Sequence, residues 1–483
     1  MVRDQADNRY GAGVAKGRGR RLQSAVGVLG VVALVTAYAM VKGWDPVSGV
    51  GDWLERLSPV STPEPAWTAR TGARPEHAVV AGRAIVVVMR DAVEARDAAT
   101  GDKLWSREAR WAAVAGTGSN GVVVASRGKG GGLEALDPAT GAVRWDDGES
   151  RAVWTYREML LTLTCSGQAE CVLAGRAPAD GRVLWRTSLP GDAKAPTGLN
   201  PALPGSQPRM SSTVDALAAA PGQVPALVGL PLAGRIHVVD TETGRRVREI
   251  ESSDDAQVTV VGGRVLQVRV RGELGDCDYT IEARDPGTGQ AVWRKDGYDL
   301  RTASGTICEQ WRDPAGGGGG ALSAVRDDGR EVLLSAGDGR ELWVGEPGER
   351  ALATDGSRAL VRTADGAAVR AVDLGGGTTL WEHEVDGAAR VALTAEAAVI
   401  VVDDRLWARD PGSGRVLAEA RTIASVIGCG PAGVVIASGR TVGLLPFTSP
   451  AAGASPEAGT SPGGGPPAVT SPPADGKGPA DPK

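Results

Sequence analysis

The sequence predicts an all-β protein, a β-propeller of four-stranded antiparallel blades that follows an N-terminal transmembrane helix. A glycine-containing turn motif recurs eight times, at spacings from 37 residues (Gly377 to Gly414) to 63 residues (Gly181 to Gly244). A tryptophan follows most copies at a fixed distance, and no repeat contains a long amphipathic helix. Repeats of about 40 to 50 residues with strand-like content are typical of propellers with four strands per blade.

Each copy of the motif has the chemistry of a β-hairpin turn. The clearest copies are Asp97 to Trp105, Asp137 to Trp145 and Asp285 to Trp293. Glycine tolerates a left-handed backbone angle, while Asp and Thr side chains can bind turn amides. Six of the eight copies have Asp four residues before the glycine. The predicted turn residues are Asp97, Gly101, Asp137, Gly141, Gly181, Asp240, Gly244, Asp285, Gly289, Gly339, Asp373, Gly377, Asp410 and Gly414.

The tryptophans are predicted to wedge between one blade and the next. Six of the eight copies have Trp four residues after the glycine, and a seventh tryptophan, Trp67, precedes the first copy. A large side chain at a fixed register is suited to such a position. The apolar residues just before them, such as Leu104 and Leu184, are expected to face a packed layer. The predicted docking residues are Trp67, Trp105, Trp145, Trp185, Trp293, Trp343 and Trp381.

The ends of the repeat region predict how the ring closes. Trp67 lies in a strand whose preceding hairpin is missing, and Gly433–Ser438 with Thr441–Leu445 forms a strand pair that never reaches a Trp. We expect the N-terminal strand to complete the last blade, which leaves no open sheet edge. Eight blades are preferred, and seven to nine are compatible with the pattern.

The segments outside residues 67–447 predict a protein that is tethered to a membrane by its N-terminal part. Residues 1–21 are basic and residues 22–41 are apolar and uncharged, long enough to cross a bilayer as a helix. The basic side stays in the cytoplasm, so the propeller is predicted to lie outside the cell membrane. A cleaved secretory signal ending near Ala39 is the alternative. Residues 42–66 form a juxtamembrane linker, and residues 448–483 form a disordered tail rich in Pro, Gly, Ser and Ala.

The five cysteines fit an oxidising compartment. Cys165 and Cys171 flank a hairpin turn and are the first candidate disulfide, and Cys277 with Cys308 is the second. Cys429 is left over. The alternative is that all five are buried small hydrophobic residues.

The turn pattern resembles the pyrroloquinoline-quinone-type (quinoprotein-like) β-propeller repeat of bacterial proteins. Asp97, Thr100, Gly101 and Trp105 carry the resemblance, as do the matching residues of the copies at Gly141 and Gly289. It implies either a calcium- and quinone-dependent dehydrogenase or a scaffold like the outer-membrane assembly lipoproteins. The chain has no Cys-Cys dipeptide, which such dehydrogenases often carry, and no lipobox Cys follows its apolar segment.

Composition and motifs limit the classes of function that the sequence allows. A net charge of −5 without a basic patch argues against nucleic acid as a partner. His77, His237 and His383 lie in different repeats without metal-ligand spacing, and His237 is expected to face solvent or a neighbouring blade. The prediction is a non-catalytic scaffold, with no cofactor or metal, that binds a protein, peptide or envelope component. The alternatives are a quinone-dependent dehydrogenase and a small-ligand sensor.

Overall fold

The computed structural model describes residues 60–127, 131–166, 170–192, 194–199, 224–251, 257–273, 276–300 and 320–448. The predicted transmembrane helix, residues 42–59 of the linker, residues 449–483 of the tail and Cys308 lie outside these ranges. Within them, no helix is long and apolar enough to cross a membrane. One short 3₁₀ helix, Gly118–Asn120, accompanies thirty-six strands in the described ranges.

The strands form nine sheets in the described residues, and each sheet is called a blade here. Blade 1 contains β2 (Pro75–Ala81), β3 (Ala84–Met89), β4 (Val93–Asp97) and β5 (Lys103–Arg107). Blade 2 contains β6 (Ala112–Ala115), β7 (Val122–Ser126), β8 (Leu133–Leu136) and β9 (Val143–Asp147). Blade 3 contains β10 (Ala152–Tyr156), β11 (Met159–Ser166), β12 (Glu170–Arg176), β13 (Val183–Pro190) and a short parallel strand, β14 (Gly198–Leu199).

Blade 4 has three described strands, β15 (Leu227–Leu232), β16 (Arg235–Asp240) and β17 (Arg246–Glu251). Blade 5 contains β18 (Gln257–Val261), β19 (Arg264–Glu273), β20 (Asp276–Arg284) and β21 (Ala291–Asp296). Blade 6 contains β22 (Tyr298–Asp299), β23 (Ala321–Arg326), β24 (Glu331–Ser335) and β25 (Glu341–Val344).

Blade 7 contains β26 (Arg350–Thr354), β27 (Arg358–Arg362), β28 (Ala368–Asp373) and β29 (Thr378–Glu384). Blade 8 contains β30 (Arg390–Leu393), β31 (Ala398–Val402), β32 (Arg405–Arg409) and β33 (Val416–Arg421). Blade 9 contains β34 (Ser425–Gly430), β35 (Gly433–Ser438), β36 (Thr441–Pro446) and β1 (Trp67–Arg70).

The N-terminal strand completes the last blade, as the sequence predicted. Strand β1 pairs antiparallel with β36, Trp67 opposite Leu444 and Arg70 opposite Thr441. Blade 9 also packs against blade 1, because a Cβ added to Gly430 would lie 2.5 Å from Cγ2 of Val80. The all-β propeller is therefore a closed ring, in which the last blade packs against the first.

The ring has nine blades, one more than the preferred count of eight but within the range that the sequence allowed. Eight blades carry a turn glycine, and the ninth is the closing blade, which has none because β1 supplies its outer strand. The preferred count of eight treats either the irregular fourth repeat or residues 299–321 as a degenerate insertion. The fourth repeat instead forms blade 4, and most of residues 299–321 lie outside the described ranges.

The hydrophobic core is divided among the junctions between blades. In the described residues, nine apolar clusters each join one blade to the next. Val86 of β3 and Val123 of β7 share one cluster, while Ile85 of β3 and Val435 of β35 share another. Alternate residues of β3 therefore serve the two neighbouring blades, since successive side chains of a strand point to opposite faces.

The antiparallel order of the strands gives the ring two ends. We call the end that carries the glycine turns the turn face. The turns between the first and second strands of each blade lie at the same end. The inner strands begin at the other end, which we call the opposite face, and the turns between second and third strands lie there too.

Candidate functional site: blade joints and the clefts at the two ends of the ring

The turn aspartates are occupied by the backbone of their own turns. The carboxylate Oδ1 of Asp137 accepts hydrogen bonds from the amides of Ala139 and Thr140, both at 3.0 Å. The Arg144 guanidinium, 2.7 Å from Oδ2, and these turn donors hold the pKa of Asp137 below its usual range. Turn amides likewise bind the carboxylates of Asp97, Asp240, Asp285, Asp373 and Asp410. These carboxylates therefore stabilise the hairpins by accepting hydrogen bonds from turn amides.

A tryptophan of one blade covers the turn glycine of the next. Gly141 has a φ of 68°, and a Cβ there would lie 2.6 Å from Cγ of Trp105. The Trp105 indole donates a 2.8 Å hydrogen bond from Nε1 to the carbonyl of Pro138 in the same turn. The side chain thus fills an apolar gap while its one polar group is satisfied. The other pairs are Trp67 on Gly101, Trp145 on Gly181, Trp185 on Gly244, Trp293 on Gly339 and Trp381 on Gly414.

Two turn glycines depart from this arrangement. The fourth repeat has Arg248 in place of tryptophan, and its guanidinium lies on Gly289. Its Nε donates to the carbonyl of Pro286 at 2.9 Å. Around Gly377, no side chain would come within 4 Å of an added Cβ, and Trp343 instead packs in the apolar cluster between blades 6 and 7.

Five apolar residues precede tryptophans, and among them only Leu342 packs against a described apolar cluster, contrary to expectation. Leu104 is 38% exposed and Leu184 is 46% exposed, and Val292 and Leu380 are similar. Because neighbouring side chains on a strand point to opposite faces, burial of each Trp turns the preceding residue outward. The period-2 pattern of these outer strands therefore has only one packed face.

An arginine that the sequence reading missed reinforces four of the turns. It lies five residues before the glycine and donates from Nη1 to the glycine carbonyl. The four bonds run from Arg96 to Gly101 (2.8 Å), Arg176 to Gly181 (3.2 Å), Arg284 to Gly289 (2.8 Å) and Arg409 to Gly414 (2.8 Å). The signal was present as an Arg-x-x-x-x-Gly spacing, which apolar residues replace in the other four copies.

The three histidines lie apart, and each has a lowered pKa whose largest cause is burial. His237 was expected to face solvent or a neighbouring blade, and the first alternative is excluded because its side chain is 0% exposed within β16. His383 meets Arg409 of the next blade, with 2.8 Å between Nδ1 and Nη2, and packs edge-on against Trp407. Burial and the Arg409 charge lower the pKa of His383 to about 4.

The cysteines follow the predicted pairing as far as the described residues extend. Cys165 and Cys171 form a disulfide across the β11–β12 pair, with their Cα atoms 4.0 Å apart. Cys277 is also disulfide-bonded, and Cys308, its predicted partner, lies outside the described ranges. Cys429 is a free, half-buried thiol whose pKa burial raises to about 11, so it is a poor nucleophile.

The described side chains do not fit a calcium-bound quinone. No three His, Cys, Asp or Glu residues in those ranges are grouped so that they could hold a metal ion. The buried carboxylates found there each form an ion pair with an arginine instead. The pairs are Glu94 with Arg96, Glu282 with Arg284, Glu331 with Arg350 and Glu349 with Arg370. We therefore derive no chemical step through a quinone or a metal.

Clefts open at both ends of the ring. On the turn face, a cavity of about 580 Å³ lies between blades 1 and 2 and is lined by Arg83, Leu104 and Asp137 among others. The opposite face has a cavity of about 550 Å³ beside blades 2 and 3, near Trp111. A larger one of about 710 Å³ lies where blades 8, 9 and 1 meet. All three volumes fall in the range of ligand-binding pockets.

The described strands form nine sheets in a closed ring, and tryptophan side chains pack between neighbouring blades. This arrangement defines a β-propeller of the quinoprotein-like repeat class. A family model described as "Outer membrane protein assembly factor BamB" matches residues 53–199 and 277–428, more than half of the chain. The chain belongs to this family.

Solved structures with similar folds include a BamB protein and a dehydrogenase. BamB from Moraxella catarrhalis is 19% identical, with 74% of this chain and 99% of that chain covered and a TM-score of 0.35. A europium-containing methanol dehydrogenase is 15% identical, with 77% and 84% covered and a TM-score of 0.36. At these TM-scores the similarities carry no argument about function. No curated protein matches the chain.

Proposed function

We propose that the protein is a non-catalytic scaffold of the bacterial envelope, tethered by its N-terminal helix, whose propeller binds a protein partner outside the cytoplasm. Membership of the assembly-factor family is the observation that carries the proposal. The chemistry of the described residues agrees with it, because the turn aspartates bind turn amides and the buried glutamates pair with arginines.

Photocrosslinking in intact cells tests the scaffold role. A photoreactive amino acid replaces Ser425 on the opposite face or Ser119 on the turn face, both exposed positions. We expect a discrete crosslinked envelope protein from one face, and the other position is its matched control. No discrete product from either face would contradict the proposal.

A quinone titration tests the enzyme alternative. Pyrroloquinoline quinone and calcium are added to the purified full-length protein while its absorbance spectrum and alcohol oxidation are followed. We expect neither a saturable spectral change nor turnover. Saturable binding with turnover would replace the scaffold by a dehydrogenase.

Membrane fractionation tests the tether. The full-length protein is expected to stay in the membrane after alkaline extraction and to be digested by protease added outside spheroplasts. Deletion of residues 22–41 should leave the protein in the cytoplasm, neither bound to the membrane nor exported. Protection from external protease would place the propeller inside and overturn this part of the proposal.

A further inference from the structure

Both clefts on the opposite face are lined by three arginines and one glutamate, but Arg127 of the cleft beside blades 2 and 3 binds Asp146 at 2.9 Å. The cleft at the ring closure differs in that its arginines form no described ion pair. It is lined by the exposed side chains of Arg74, Arg90 and Arg390 and by one acidic residue, Glu76. These arginines come from three separate places, the segment before β2, the β3–β4 turn and the start of β30. Closure of blade 9 between blades 8 and 1 brings them to one cavity.

The three guanidinium groups have no carboxylate or hydrogen-bonding partner among the described residues. Elsewhere in the ring, arginines bind carboxylates closely, as Arg176 does with Asp147 at 2.7 Å and Arg358 with Asp355 at 2.8 Å. Three unpaired positive charges around one cavity, against one negative charge, create a local positive potential on a protein whose net charge is −5.

The walls of the same cleft are apolar. Val401, Val426, Ile427 and Ala437 line it and are all buried. Ile423, one residue before the lining residue Ala424, is 84% exposed, so the apolar surface continues outside the cavity. A ligand that matches this surface carries negative charges and apolar groups, and it extends beyond the 710 Å³ of the cavity itself.

We propose that this cleft, formed by blades 8, 9 and 1, binds an extended acidic peptide segment of a partner protein, with carboxylates on the arginines and apolar side chains against the accessible part of the apolar wall and the exposed Ile423 beside it. The inference rests on the proposed scaffold function and assigns the partner-binding site within it. A peptide fits better than a bilayer surface, because the apolar wall lies inside a concave cavity that a flat membrane cannot enter.

Binding of a short fluorescein-labelled peptide in which glutamate alternates with leucine tests the site. The cleft variant replaces Arg74, Arg90 and Arg390 by Ala together. A matched control replaces Arg245, Arg340 and Arg415, which are exposed, follow turn glycines and lie on the turn face. Both changes remove three positive charges, and neither removes a described ion pair.

We expect the peptide to bind the wild-type protein and the control equally, and the cleft variant roughly tenfold to hundredfold more weakly. Rising salt should weaken binding to the wild type, and a lysine–leucine peptide should not bind. Equal binding to the cleft variant overturns the proposal. So does arginine-dependent binding of phosphatidylglycerol vesicles or inorganic phosphate in place of the peptide.

Crosslinking separates this inference from the function it rests on. If wild-type protein captures an envelope partner and the cleft variant captures it equally, the cleft is not the site although the scaffold role stands. If wild-type protein captures no partner while the acidic peptide still binds through the arginines, the site stands and the scaffold role fails.

Discussion

The joint between blades 1 and 2 and the joint between blades 4 and 5 place different side chains in the same slot. Trp105 covers Gly141 and donates to Pro138, whereas Arg248 covers Gly289 and donates to Pro286. The two donor–acceptor distances are 2.8 and 2.9 Å. The slot therefore selects a flat group with an N–H at a fixed position, and both an indole and a guanidinium meet that requirement.

The two joints should differ most when the covering side chain is removed. Trp105 is 8% exposed, so Trp105→Ala opens a cavity in the core and should lower the free energy of unfolding by about 3–5 kcal/mol. Arg248 is half-buried, and Arg248→Ala should cost only about 1 kcal/mol, mainly a hydrogen bond. Urea denaturation of the full-length protein measures both, and equal losses would show that the joints are not different in kind.

The glycine beneath the side chain is the second way to break the joint. Gly141→Ala places a Cβ against Trp105 and strains a backbone with a φ of 68°, so we expect a loss of about 2–3 kcal/mol. Gly82→Ala is the matched control, since its φ is 60° but nothing lies within 4 Å of the added Cβ. It should cost about 1 kcal/mol. If the two denaturation midpoints shift alike, backbone strain accounts for the whole effect and the indole contact contributes nothing.

The joint between blades 7 and 8 combines both kinds of group, and it should respond to pH. Trp381 covers Gly414 there, while His383 meets Arg409. The pKa of His383 falls from 6.5 to about 4 on folding, so the unfolded chain binds the proton more readily. Stability from this site is present above pH 6.5 and is lost as the pH falls towards 4.

Because His383 is only half-buried, this loss should be about 1 kcal/mol after allowance for solvent screening. His383→Gln should flatten the pH dependence of the melting temperature in that window. An unchanged slope would show that His383 is not the titrating group.

The sequence predicted most of the architecture because the turn chemistry is local. Asp137, Gly141 and Trp145 lie within nine residues. Their spacing predicts a hairpin, and the repetition of this hairpin along the chain predicts a ring of blades. The ninth blade escaped the preferred count because it has no glycine turn, and Arg248 was missed because a guanidinium shares its role with tryptophan but not its residue type.

The arginine cleft could not be predicted in the same way. Arg74 and Arg390 are separated by most of the propeller and share no motif, and only closure of the ring places them at one cavity. Exposure of Leu104 was also mispredicted, because hydrophobicity alone does not show which face of an outer strand is covered. Local chemistry therefore determined the repeat, while the candidate binding surface depends on long-range topology.

Completion of blade 9 by β1 has a consequence for biosynthesis. The partners of Trp67 and Arg70 are Leu444 and Thr441, near the C-terminal end of the repeat region, so β1 emerges from the ribosome long before its pairing strand. Bringing such distant segments together carries a large loop-closure entropy. Nascent chains that stop before β36 lack the strand with which β1 pairs, so they cannot close the ring. Closure of the propeller therefore has to wait until the last strand has been synthesised.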